Sequence, residues 1–132
     1  MTASERAVEL TVAAAEAAAD KLAENIVAFD VSEQLAITDV FLVCSGANER
    51  QVGAIVDEVQ KRLSEQLDVK PVRREGDREN RWVLLDYFDI VVHVQDHEER
   101  TFYDLERLWK DCPRIPLPES VTQPHSSVGG SS

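Results

Sequence analysis

Apolar residues along this chain fall into two rhythms. In three stretches they recur every three or four positions, the spacing of one buried helix face. The first stretch opens with Thr2 and Glu5 in capping-box spacing and runs through an alanine-rich segment whose predicted buried stripe is Val8, Val12, Ala15, Ala19 and Leu22. The second opens at Asn48 with Gln51 three residues on and carries Val52, Ile55, Val56, Val59 and Leu63. The third opens at Asp96 with Glu99, is predicted to bury Phe102, Leu105, Trp109 and Cys112, and stops at Pro113. Glu106 and Lys110 are spaced to pair on its outer side.

The second rhythm is that of strands. Residues 26–31 and 40–45 are apolar and β-branched enough for inner strands, although the first also reads as a helix continuation. Residues 69–75 are a weaker, charged candidate suited to a sheet edge, and 82–87 and 90–94 are strong strands joined by a tight turn. The order helix, strand, strand, helix, three strands, helix predicts an α/β or α+β domain: a mixed β-sheet packed by helices.

Residues 81–95 say the most. With Phe88 and Asp89 as the turn of an antiparallel hairpin, Tyr87 pairs with Ile90, Leu85 with Val92 and Val83 with Val94. That face is apolar and belongs to the core. The opposite face collects Trp82, Leu84, Asp86, Val91, His93 and Gln95, a mixture suited to a surface partly open to water. A Trp and a Leu on a rigid sheet, ringed by polar groups, have the composition of a protein-binding patch. The alternative is that a helix covers Trp82 and that Asp86 and His93 bond to each other or to backbone. Phe88 is a poor residue for the positive φ of a two-residue hairpin turn, and a slipped register would exchange the two faces.

Composition changes this picture in two ways. Four of the five prolines follow Cys112, and the chain closes on Ser, Val and Gly, so residues 1–112 read as one domain and 113–132 as an extended or disordered tail. The formal net charge of −11 argues against a nucleic-acid backbone or an anionic membrane surface as a partner. No secretory signal or membrane-length apolar run is legible, and Cys44 lies in an apolar strand as an inert thiol, so a reducing, cytoplasmic location is the default expectation.

Candidate chemistry is sparse. Ser45-Gly46-Ala47-Asn48 joins a strand to a helix as an anion cradle would, but has one glycine and no following Lys-Ser or Lys-Thr pair. Asp86 and Asp89 straddle a turn and do not alternate on one strand, so they do not converge as a two-metal carboxylate pair. His93, Asp96 and His97 lack the spacing of a metal site, and no nucleophile with its base has positional support. No cofactor is expected. Lys70, Arg73, Arg74, Arg78 and Arg81 are offset by Glu75, Asp77 and Glu79, which suits a solvated, internally paired edge better than an RNA surface.

Six blocks, in this order, carry a resemblance: Ile37-Thr38-Asp39-Val40-Phe41-Leu42-Val43-Cys44-Ser45-Gly46; Arg50-Gln51-Val52; Glu75-Gly76; Trp82-Val83-Leu84-Leu85-Asp86-Tyr87; Asp89-Ile90-Val91-Val92-His93-Val94; and Arg100-Thr101-Phe102-Tyr103-Asp104-Leu105-Glu106-Arg107-Leu108-Trp109. Across residues 5–111 the chain resembles the ribosomal silencing factor family (RsfS, also called Iojap). The resemblance implies a nucleotidyltransferase-like fold without the catalytic carboxylates. It also implies a non-enzymatic protein that binds the large ribosomal subunit through its protein fourteen, blocks subunit joining and represses translation when nutrients are scarce. By position it assigns Trp82, Leu84, Asp86, Tyr87, Phe88, Asp89 and His93 to the partner-binding hairpin, with Phe88 standing where many members have Gly. Arg100, Tyr103, Glu106 and Trp109 match the last helix, Tyr103 and Trp109 as structural residues. No DNA or membrane contact and little or no direct RNA contact are expected, and either a monomer or a homodimer fits. The rival readings are a nucleotide-binding protein using Ser45, Gly46 and Asp89, and a scaffold partner of another assembly.

Overall fold

A computed structural model describes residues 2–76, 79–102 and 104–122. The elements are α1 (Glu5–Asp20), β1 (Glu24–Asp30), β2 (Val40–Gly46), α2 (Glu49–Leu67), β3 (Arg73–Gly76), β4 (Trp82–Asp86), β5 (Ile90–Asp96) and three short helices, α3 (His97–Phe102), α4 (Leu105–Leu108) and α5 (Glu119–Thr122). The strands form one mixed sheet in the order β1-β2-β5-β4-β3. Only β2 and β5 run parallel; every other neighbour is antiparallel. The expected α+β architecture is the one observed.

Helix α2 follows its sequence pattern closely. Asn48 caps it by accepting from the Gln51 amide, and Val52, Ile55, Val56, Val59 and Leu63 are its buried residues. Gln51 does more than the spacing suggests. Its carbonyl oxygen accepts from the Ala47 amide, and its amide nitrogen donates to the Lys21 and Leu22 carbonyls, tying α2 to the end of α1.

Helix α1 departs from expectation. Its cap is Ser4, which accepts from the Ala7 amide, and not Thr2. Its buried face centres on Leu10 and a run of alanines, whereas Leu22 lies past the helix end with positive φ and is exposed. In an alanine-rich helix almost any face can be buried, and small side chains let α1 lie close against α2 and the sheet.

The third predicted helix is broken. Asp96 does cap α3, accepting from the Glu99 amide, but Asp104 then starts α4 by accepting from the Arg107 amide. Glu106 pairs with Arg100 at 2.9 Å and not with Lys110. Buried Arg100 also donates to the Asn25 carbonyl, so it clamps α3, α4 and the start of β1 together. The expectations for Phe102, Tyr103, Asp77 and Arg78 lie outside the described side chains.

One sheet face packs under α1 and α2 through Val40, Leu42, Ile90, Val92, Val94, Val83 and Leu85. A second, smaller cluster lies on the other face. There Phe29, Val31 and Val43 meet Cys112, with Phe41, Leu105 and Trp109 packed against them. Residues 113–122 correct the expectation of a detached tail. Residues 113–115 lie antiparallel to β1, and Ile115 and Val121 are buried in the main core. Residues 123–132 are outside the described part.

Candidate functional site

The β4–β5 hairpin has the register read from its pattern: Val83 faces Val94, Leu85 faces Val92, and Leu84 faces His93. Its turn is unusual. The Asp89 amide donates to the Tyr87 carbonyl at 2.8 Å, and Phe88 between them has φ 69°. This three-residue turn with positive φ at its centre is the rare, strained form. The Tyr87 amide closes the hairpin on the Ile90 carbonyl, and Asp86 accepts from the Phe88 amide. Together these bonds hold Phe88 in a conformation that disfavours side chains, and hold it 54% exposed. The register does not slip. Phe88→Gly is expected to raise stability by about 1 kcal/mol by removing the positive-φ penalty, while deleting an exposed aromatic from the surface. Chemical denaturation and large-subunit binding, measured on the same variant, check both halves.

The face opposite the helices is covered on one side only. The segment carrying α4 lies over β1 and β2, and its cover reaches β5, where Val91, His93 and Gln95 are buried. It ends at β4, where Trp82, Leu84 and Asp86 are half-buried, and β3 is exposed throughout. The two readings of this face therefore divide by residue. Trp82, Leu84 and Asp86 form an accessible row that continues into Phe88. His93 lies beneath them, its Nδ1 accepting from Trp82 Nε1 at 3.3 Å and its ring edge-on to Phe41 at 5.0 Å. Burial pushes the His93 pKa down to about 4, so the imidazole is neutral at physiological pH. Asp86 does not bond to His93. It pairs with Arg73 across the β3–β4 ladder at 3.3 Å. Tyr87 belongs to the core face, where burial pushes its hydroxyl up to about 12. Asp89 supplies the carbonyl that anchors the Asp39 and Val40 amides.

The nucleotide reading loses its geometry. Ser45 and Gly46 end β2, whereas Asp89 precedes β5 beside the start of β2; six strand steps, about 20 Å, separate them. Ser45 is buried and donates to the Glu24 carbonyl. Gly46 is closely packed: a Cβ there would stand 3.2 Å from the Val52 amide nitrogen. The metal candidates are likewise dispersed, with His97 paired to Glu24 and Asp96 capping α3. No group of three or more His, Cys, Asp or Glu side chains gathers among the described residues. The basic stretch is paired within itself only in part: Arg73 bonds Glu75 and Arg81 bonds Glu79, whereas Arg73 also reaches Asp86 of β4 and Arg74 bonds Gln60 of α2. Both cysteines are free, and burial raises Cys44 to about 12. Among the described residues no helix is long and apolar enough to cross a membrane.

Sequence reasoning missed Arg73 as the partner of Asp86, and it put Gln95 on the partly open face although that side chain is fully buried. Strand pairing alone could have signalled the first, since an acid and a base opposite each other on one face form a cross-strand pair.

The fold is thus a mixed five-stranded sheet with one helix-packed face and one half-open face that carries an accessible row of apolar and acidic side chains. The family profile described as "Ribosomal silencing factor during starvation" matches residues 4–130, continuing past the 5–111 of the block resemblance. The chain is 44% identical over 110 residues to the ribosomal silencing factor RsfS of Halalkalibacterium halodurans, covering 83% of this chain and 92% of that protein. It is 41% identical over 110 residues to the RsfS of Bacillus subtilis, with the same two coverages. A crystal structure of a Chromobacterium violaceum protein superposes with a TM-score of 0.74 at 33% identity, covering 88% of this chain and 95% of that one. A Bacillus halodurans structure gives 0.70 at 38% identity, covering 86% and 100%. The chain belongs to the RsfS/Iojap ribosomal silencing factor family, whose members are ribosome-binding repressors of translation under starvation and not enzymes.

Proposed function

We propose that this protein docks on the large ribosomal subunit through its protein fourteen and blocks subunit joining sterically. The observation that carries the reading is the accessible row Trp82, Leu84, Asp86 and Phe88 on a sheet face whose other half is covered. A steric block needs a rigid platform and bulk, and the sheet supplies both. Trp82 and Leu84 give apolar anchors, and Asp86 and Asp89 give acidic groups around them. Tyr87 and His93, buried behind the row, position it and do not form its outer surface.

The charge of −11 supports a basic protein partner over ribosomal RNA. Negative charge speeds association with a basic protein and is repelled by surrounding phosphates. Saturating protein added to purified subunits is expected to lower the yield of joined ribosomes. The protein should co-sediment with the large subunit alone, weakly at high salt, and not with naked ribosomal RNA. Unchanged joining at saturation would refute the steric mechanism. Capture of another assembly without the large subunit would favour the scaffold reading.

A further inference from the structure

Large apolar side chains left on the surface are not scattered evenly over this fold. Among the described residues five are exposed: Leu22, Ile37, Val72, Phe88 and Leu108. A single exposed apolar residue is ordinary on any protein surface. Three of these five, however, are brought to one end of the sheet by backbone hydrogen bonds between segments far apart in sequence. Val72 precedes β3, and its amide donates to the Asp86 carbonyl at 2.8 Å. Ile37 stands two residues before Asp39, whose amide donates to the Asp89 carbonyl at 2.9 Å. Phe88 lies in the turn between Asp86 and Asp89.

The strand register fixes their order. Val40 at the start of β2 is beside Ile90 at the start of β5, and Arg73 at the start of β3 faces Asp86 at the end of β4. The β4–β5 turn therefore stands between the approaches to β2 and β3, with Phe88 between Ile37 and Val72. Strands β2 and β3 are three strand spacings apart, about 14 Å. That span lies well inside a single interface patch of about 800 Å². Leu22 is at the opposite end of the sheet, where Glu24 pairs with Ser45, and Leu108 is on α4.

This end of the sheet is continuous with the accessible row, and Asp86 joins the two. Its carbonyl holds the Val72 amide, one carboxylate oxygen accepts from the Phe88 amide, and the other pairs with Arg73. Asp86 thus positions Phe88 and Val72 relative to Trp82 and Leu84 on its own strand. The charge nearby has one sign on the Ile37 side. Asp39 and Asp89 flank the turn, and no Lys or Arg occurs in residues 31–49 or 82–99. On the β3 side Arg73 is offset by Asp86 and Glu75. An apolar stretch bordered by acids is complementary to an apolar patch bordered by bases, and it repels phosphates.

We infer that Ile37, Val72 and Phe88 form an apolar rim by which the partner of the Trp82–Leu84–Phe88 row also grips the end of the sheet, the occupant being an apolar patch bordered by basic residues on a large-subunit protein. The inference rests on the docking proposed above and adds a second surface to it. A row on one face leaves the tilt of the bound protein loosely set. A row and a rim that meet at Phe88 fix that tilt, and with it where the bulk of the domain stands against the joining subunit.

Co-sedimentation of the full chain with purified large ribosomal subunits tests this. Ile37→Ser and Val72→Ser remove apolar surface without adding charge, and each should weaken binding about fivefold, the double variant about twentyfold. Leu22→Ser, at a similarly exposed residue of the opposite end, should bind within about twofold of the parent. All three positions are exposed, so melting should not change; Ile37→Thr and Val72→Thr, which keep the β-branch, replace any serine variant that melts early. Trp82→Ala, measured in parallel, separates the rim from the reading it rests on. Weakened binding in Trp82→Ala with parental binding in the double rim variant would leave the row standing and overturn the rim. Parental binding in every variant would overturn both. Loss in the rim variants alone would uphold the rim and move the contact from the sheet face to its end.

Discussion

Trp82→Ala is expected to weaken binding to the large subunit about thirtyfold or more and to restore subunit joining at concentrations where the parent protein blocks it. The estimate follows from truncating a half-buried aromatic at the centre of a contact, which typically costs ~2 kcal/mol or more, with ~1.4 kcal/mol per tenfold. Two effects combine in that variant. The indole is the largest side chain of the row, and its Nε1 is the donor to buried His93. Removing it leaves Nδ1 without that donor, a change that costs ~1–3 kcal/mol of folding stability. Melting must therefore be measured beside binding. Leu84→Ala separates the two effects, because it truncates an apolar residue of the same row, adds no charge opposite His93 and removes neither partner of the Trp82–His93 bond. Leu108→Asp is the control, a more exposed apolar residue on α4, for which binding should not move. Full affinity in both row variants would place the contact elsewhere on the molecule.

The hairpin was legible because its two faces differ so sharply. Val83, Leu85, Val92 and Val94 can be buried together only in one register, and a one-residue slip would drive Asp86 and His93 into the helix-packed core. That pattern outweighed the poor turn residue, and the strain was left at Phe88. Helix α2 was legible for a similar reason, with a single apolar stripe behind an Asn cap.

The misreadings have physical causes too. Thr2 and Ser4 both offer a capping hydroxyl, and Ser4 is fixed by a tertiary contact, its amide donating to the Asp39 carboxylate. Periodicity ran through Asp104 because a single capping residue does not interrupt an apolar stripe. The break is decided by buried Arg100, which reaches both Glu106 and the Asn25 carbonyl. The packing of residues 113–122 was hidden by their prolines. They make a segment look like a linker, whereas Ile115 and Val121 are apolar groups that repay ordering it. Whether Trp82 is open or covered depended on how far the α4 segment reaches across the sheet, which no local pattern carries.

Acidification is expected to destabilise the fold through His93 before any carboxylate contributes comparably. Its pKa falls from 6.5 in the unfolded chain to about 4 in the folded one, driven by burial. The sign follows directly. As pH drops through 6.5 the unfolded imidazole takes up a proton, while the folded one stays neutral until about pH 4. The unfolded state then binds more protons, and stability falls with pH throughout that window. The full loss is on the order of 3 kcal/mol, complete near pH 4 and absent above about 7. Asp30 acts in a separate range. Burial alone would raise its pKa, but hydrogen bonds from Ser32 and the Ala3 amide outweigh that and lower it, so its stabilisation is lost only below the ordinary carboxylate value of 3.8. Denaturant midpoints at half-unit pH steps should therefore decline between pH 7 and 4. In His93→Gln, whose side-chain oxygen can still accept from Trp82 Nε1, that decline should flatten. A folded-state imidazole titrating near 6.5 by NMR, or an unchanged slope in His93→Gln, would contradict the assignment. The same proton bears on binding, because a protonated Nδ1 can no longer accept from Trp82. The indole that anchors the row then loses its fixed orientation, so large-subunit affinity should fall only as the folded imidazole titrates near pH 4, at the lower end of the range over which stability declines.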